Sequence, residues 1–236
     1  MSIRIQHLTK LYGAQKAVND ISFDVKPGEI MGFLGPNGAG KSTTMKITTG
    51  YLNATSGSVE VCGFNVAKQS MEVRRSIGYL PEHNPLYTDM YIKEFLRFVG
   101  ALYGLKGEKL RQRVSEMVEI CGLELEQNKK IGQLSKGYRQ RVGLAQALIH
   151  NPPVLILDEA TTGLDPNQIL EIRTLIKSVG KEKTVLFSSH IMQEVEAICD
   201  RAVIINRGQV VANRTLADLR SEGKPLEEVF RELTTQ

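Results

Sequence analysis

Two rhythms of apolar residues run along the chain and divide it into three stretches. In the first quarter the apolar positions alternate. "IRIQHL" sets Ile3 and Ile5 on one face, and "AVNDISFDV" does the same through Ile21, Phe23 and Val25 before turning at "KPGE". A period of two predicts strands with one buried face. "IMGFLG" is short and continuously apolar, the pattern of a strand buried on both faces. Another strand is expected at "SVEVCG", after the turn "TSG". From about residue 91 to 150 the spacing becomes helical, through Phe95, Leu96, Val99 and Leu102, then Val114, Met117, Val118 and Cys121. The last stretch alternates: strand "VLIL", a helix over about 167–179, strand "TVLFSS", a helix from about 192, two short strands in "AVIINRGQVVAN", and helices near 215–221 and 226–233. Strands alternating with helices predict βαβ units and a mostly parallel sheet. The expected organisation is one α/β domain over 1–236. Its core is 1–90 and 151–236, and a helical lobe is inserted at about 91–150.

Between the first two stretches lies "YLPEHNPLYTDMY", residues 79–91, which reads as neither a helix nor a central strand. Its proline-flanked acid, Glu82, has no explanation within the segment.

Chemistry enters with "GPNGAGKST" at 35–43, which fits G-x-x-x-x-G-K-[ST] and sits between an apolar strand and a helical stretch. Gly35, Pro36, Asn37, Gly38, Ala39 and Gly40 form a loop whose amides can cradle phosphate oxygens. Lys41 can bridge β and γ phosphates, and the Ser42 hydroxyl, with Thr43 beside it, can serve Mg²⁺. "VLILDE" then delivers Asp158 and Glu159 to the end of a buried strand. Alternation along that strand predicts that the two acids point to opposite sides. Asp158 suits Mg²⁺, and Glu159 suits orienting or deprotonating a water. In "LSKGYRQRVGLAQAL", Ser135 reads as an N-cap whose helix end could take a second phosphate.

The remaining numbers change little. The 236 residues carry a formal charge of +4, which favours neither nucleic acid nor a membrane surface strongly. The three cysteines are far apart and read as buried thiols in a reducing compartment. No apolar run approaches the roughly 18 residues of a membrane helix. A membrane role is therefore expected to come through a partner.

Phosphate loop, "LSKGYRQR", "LILDEATTGLDP" and "SSH" occur in the order seen in nucleotide-binding subunits of ABC transporters, and the resemblance runs almost end to end. It implies a P-loop NTPase core with an N-terminal antiparallel β-subdomain and an inserted helical subdomain. It also implies a head-to-tail dimer, of this chain or with a related ATPase, hydrolysing Mg·ATP at two composite sites. Tyr12 is then expected to stack on adenine and Val18 to contact the same base. Leu134, Ser135, Lys136, Gly137 and Tyr138 form the signature that caps the partner's γ-phosphate. Asp165 belongs to the loop linking the two sites, and His190 is the switch histidine beside catalytic Glu159. Ser42, Asp158 and Glu82 are the metal-side residues.

Two departures matter. The signature is usually L-S-G-G-Q, so Lys136 brings a charge and Tyr138 lacks an amide. Glu82 stands where a glutamine is usual. The resemblance further implies membrane subunits as partners, a peripheral place on the inner face of the cell membrane, and no nucleic acid. The variant signature and the tail "LEEVFRELT" resemble ABC-2 type exporters, most narrowly those of gliding-motility or secretion systems. ABC-type ATPases acting on DNA or ribosomes share this core. They carry long coiled coils or two nucleotide domains, whereas Glu82 to Leu134 is short and without sustained heptads. A small-molecule P-loop kinase leaves the signature and His190 unexplained.

Overall fold

The computed structural model describes residues 1–223 and 225–234; residues 224, 235 and 236, within the expected 1–236 span, lie outside the described residues. Strands β1 (Ile3–Tyr12) and β2 (Gln15–Val25) form an antiparallel hairpin with Ile3 opposite Val25 and Ile5 opposite Phe23. Strand β3 (Ile30–Leu34) leaves for a second sheet and is followed by helix α1 (Lys41–Thr48). Strand β4 (Ser56–Val61) returns to pair with β1, and β5 (Phe64–Asn65) completes a sheet of order β2-β1-β4-β5. Helix α2 (Ser70–Ser76) and strand β6 (Ile77–Leu80) come next. Both are too short to show a period. The segment at residues 79–91 thus begins as the end of an edge strand before it turns irregular.

The helical stretch holds α3 (Ile92–Leu102), α4 (Gly107–Ile120), a 3-10 turn at Ile131–Gln133, and α5 (Lys136–Leu148). Phe95, Leu96, Val99, Val114, Met117, Val118 and Cys121 are buried as their spacing predicts. Leu102 is not: it is 71% exposed at the last turn of α3, where the helix has run past its packing partners into an open groove. The rest alternates as expected: β7 (Val154–Asp158), α6 (Pro166–Gly180), β8 (Thr184–Ser189), α7 (Met192–Ile198), β9 (Arg201–Asn206), β10 (Gln209–Thr215), α8 (Leu216–Ser221) and α9 (Leu226–Thr234). The second sheet has the order β10-β9-β3-β8-β7-β6 and is parallel except for the β9–β10 hairpin.

This sheet separates two cores, which explains its unbroken apolar strands. Met31, Phe33, Ile156 and Leu186 pack toward the antiparallel sheet and α1. Their neighbours Leu34, Leu155, Leu157 and Phe187 pack toward the helices on the other face. Burying each such side chain stabilises the fold by about 1.5–3 kcal/mol. At Gly78 strand β6 touches α5 so closely that a Cβ would run into the Ala147 carbonyl oxygen. Contact of this kind requires glycine in a strand. Cys121 and Cys199 are buried, whereas Cys62 is half-buried, a partial correction to the reading of three buried thiols; all three are free. Among the described residues no helix is long and apolar enough to cross a membrane.

Candidate nucleotide site

The C-terminal ends of four parallel strands meet at one cavity of about 490 Å³. After β3 comes the phosphate loop, after β6 Glu82, after β7 Glu159, and after β8 His190, and all of them contribute to its wall. Parallel α/β sheets place ligands at this edge, because the helices that follow the strands present their N-termini there.

The loop has the shape that phosphate binding demands. Gly40 adopts φ +109° at the start of α1, and a Cβ there would lie 2.5 Å from the Ala17 carbonyl oxygen. Asn37, Gly38, Ser42 and Thr43 also reach the cavity. Gly35 and Pro36 act from behind it: their carbonyls accept hydrogen bonds from Lys41 Nζ at 2.7 and 3.3 Å. Ala39 is buried and ties the loop to the β9–β10 turn by accepting from the Gly208 amide at 3.0 Å.

Lys41 also pairs with Glu159 Oε1 at 3.3 Å, with both side chains more than nine-tenths buried. Two charges so far out of water persist only when each is fully partnered. Glu159 is: its Oε2 meets His190 Nδ1 at 2.7 Å and accepts from Thr162 Oγ1 at 3.1 Å. Asp158 Oδ1 accepts from Ser188 Oγ at 2.6 Å and from Ser42 Oγ at 3.2 Å. Burial pushes the Asp158 carboxyl above its usual range; the Ser188 and Ser42 hydroxyls oppose that, and the charges of Glu159 and Glu82 add to it.

Asp158 and Glu159 do not point to opposite sides. Glu159 lies just beyond β7 with φ +52°, a left-handed turn that swings its carboxylate back onto the phosphate loop. Its amide donates to Ser188 Oγ at 3.0 Å. Ser188, with no exposed surface, therefore bonds to both acidic residues. The acids still differ: Asp158 is anchored by hydroxyls alone, Glu159 by the Lys41 ammonium, the His190 ring and the Thr162 hydroxyl.

Other expectations fare differently. Val18 is fully buried beneath Gly40 in this structure, and its neighbour Ala17 lines the cavity. Tyr12 is half exposed and outside the cavity wall, with Lys10 Nζ 5.3 Å from its ring centroid. The signature lies away from this cavity. Leu134 is buried in the helical lobe, and Ser135 caps α5 by accepting from the Tyr138 amide at 3.4 Å. Lys136 lies over Gly163, Gly137 is covered by the Gln168 side chain, and Tyr138 packs beside the Arg141 guanidinium. Asp165 caps α6, accepting from the Gln168 amide at 2.9 Å. Thr162 and Ser188 lie inside the quoted motifs "LILDEATTGLDP" and "SSH", but motif reading assigns them no role; hydroxyls flanking an acid pair at buried strand ends are the usable signal.

Among the described residues no three His, Cys, Asp or Glu side chains are grouped to hold a metal ion. Mg²⁺ does not need such a cage, since one or two oxygen side chains complemented by nucleotide phosphates suffice. The adjacent Ser42 hydroxyl and Asp158 carboxylate, with Glu82 on the same wall, fit that donor set.

A glycine-rich loop opening a helix, beside two acids at the end of a parallel strand, defines a P-loop nucleoside triphosphatase. Residues 18–162 match the ABC transporter family. The bacitracin transport ATP-binding protein BcrA of Bacillus licheniformis is 42% identical over 89% of this chain and 68% of its own length. The Nod factor export ATP-binding protein I of Burkholderia orbicola is 37% identical over 89% of this chain and 69% of its own. A solved ATP-binding cassette, a dimer in a post-hydrolysis state bound to ADP and Pi, superposes with a TM-score of 0.83 at 27% identity, over 91% of this chain and 98% of that one. The chain belongs to the ABC transporter family. It is an ATP-binding subunit and an ATPase with the ABC cassette fold.

Proposed function

We propose that this chain hydrolyses Mg·ATP at two composite sites of a head-to-tail dimer and thereby drives export by separate membrane subunits. The observation that carries the reading is the meeting of Lys41, Ser42, Glu159 and His190 in one cavity, with Asp158 bonded to Ser42. ATP phosphates would enter the loop and recruit Lys41 away from Glu159. Mg²⁺, held by Ser42, Asp158 and the Glu82 side of the site, would supply charge neutralisation on the phosphate oxygens. Glu159 takes a proton from the attacking water, whose oxygen bonds to the γ-phosphorus as the bond to the bridging oxygen breaks. The electron pair of that bond leaves with ADP. His190 contacts the γ-phosphate and registers its loss. Ser135 and Gly137 cap the partner's γ-phosphate once the Gln168 side chain moves aside, Asp165 links the sites, and Tyr12 stacks on adenine.

The whole 1–236 span works as a single domain, peripheral on the inner face of the membrane. A second cavity, a groove of about 860 Å³ between core and helical lobe, suits a membrane subunit. Tyr87 lines it, its ring edge-on to Phe95 and tilted against Phe98, whereas Tyr91 stands at the head of α3 near Lys130. The two relatives carry transport and export in their names, which favours export; they lend no support to a gliding-motility role. The test is Glu159→Gln. Turnover should fall by about 10²–10⁴-fold while ATP still binds. Wild-type steady-state hydrolysis by that variant would remove Glu159 from its role.

A further inference from the structure

We propose that Thr162 is a positioning residue for Glu159, holding the carboxylate in place when its other partners turn to the nucleotide. The inference rests on Glu159 as the base. Among the described residues three side chains hold that carboxylate: Lys41 on Oε1, and His190 and Thr162 on Oε2. All three line the cavity where a polyphosphate enters, but only Lys41 and His190 are cationic or can become so. A triphosphate carries several negative charges against one on Glu159, so it competes for both. Thr162 is neutral and has no such reason to leave. Its hydroxyl also cannot drift far, because the Thr162 amide donates to the Glu159 carbonyl at 3.1 Å and closes a turn that starts at the left-handed Glu159. The same four residues thus set the backbone twist and return a hydroxyl to the side chain.

The chemistry of the bond favours a base rather than a passive acid. The hydroxyl donates to Oε2, leaving Oε1, the oxygen vacated by Lys41, as the proton acceptor. Rotation of the carboxylate is restricted at the moment when Lys41 and His190 no longer restrict it. Positional control of this kind appears in turnover rather than in affinity.

The experiment compares Thr162→Val, which keeps the shape and loses the hydroxyl, with Thr162→Ser, which keeps the hydroxyl. ATP affinity is measured by calorimetry, and turnover is measured both in the wild type and in a Glu159→Gln background. The expected result is a drop in kcat of about 10- to 100-fold for Thr162→Val, the usual worth of a hydrogen bond to a charged group. ATP affinity should stay within about twofold, and Thr162→Ser should restore turnover. In the Glu159→Gln background Thr162→Val should add no further loss. Turnover within twofold of wild type for Thr162→Val overturns the proposal, and so does an equal loss in both backgrounds. If Glu159→Gln itself hydrolyses ATP normally, the reading of the base has failed first, and the two failures are told apart by that one variant.

Discussion

The nucleotide cavity and the groove on the far side of strand β6 are built on opposite principles. In the cavity the buried charges answer each other: Lys41 has Glu159, Glu159 has His190 and Thr162, and Asp158 has two hydroxyls. The groove is walled by Tyr51, Tyr87, Phe95, Phe98, Leu102 and Tyr103, several of them exposed. Two buried polar atoms at its wall, Tyr79 Oη and Gln146 Oε1, have no hydrogen-bond partner among the described residues. A buried polar group without a partner costs about 1–3 kcal/mol. The cavity is therefore a closed electrostatic circuit that a competing polyanion must open. The groove is an apolar surface whose wall is incompletely satisfied as it stands. On the proposed reading the difference separates chemistry from coupling, with Glu82 on the loop that follows strand β6.

Substitutions should hit the two regions in different currencies. The largest effect on ATP affinity is expected for Lys41→Ala. It removes the cation that the phosphate loop aims inward, so ATP affinity should fall about 10- to 100-fold in calorimetric titration. The thermal transition should fall as well, because the buried Glu159 carboxylate loses its ammonium partner and keeps only His190 and Thr162. If affinity survived, the circuit would not be the binding device. A smaller effect, on stability, is expected for Gly78→Ala at the seam between β6 and α5. The added methyl meets backbone that cannot rotate away, so unfolding free energy should drop by about 1–3 kcal/mol in a denaturant titration. A neutral outcome would mean that the seam is loose and that the two regions are not rigidly joined.

What the sequence reveals differs between the regions in the same way. The cavity was legible because its loop, its acids and its histidine each lie at a strand end in a short, typed motif, and a parallel sheet brings strand ends together. Misreadings there were local. Strand alternation suggested that Asp158 and Glu159 diverge, but the left-handed turn at Glu159 cancels it. Val18 follows Ala17 in β2 and faces the core, so a one-residue difference decided which of them lines the wall. The groove was barely legible. Tyr51, Phe98 and Gln146 come from different segments, and only tertiary packing assembles them. Strand β6, with four residues, was below the length at which a period can be recognised. Leu102 falls at helical spacing with Phe95 and Val99 yet is exposed, because spacing alone cannot tell a helix's last packed turn from its first free one.

The signature residues Ser135 and Gly137 stay out of their own chain's cavity, so the account requires a second protomer to complete each site. The most direct measurement is the mass in solution, by light scattering, of Glu159→Gln with and without Mg·ATP, alongside Glu159→Gln combined with Ser135→Arg. The account predicts that Mg·ATP doubles the mass of the single variant, and that the double variant binds ATP yet stays monomeric. A single variant that remains monomeric at saturating Mg·ATP, or a dimer indifferent to Ser135→Arg, would contradict it.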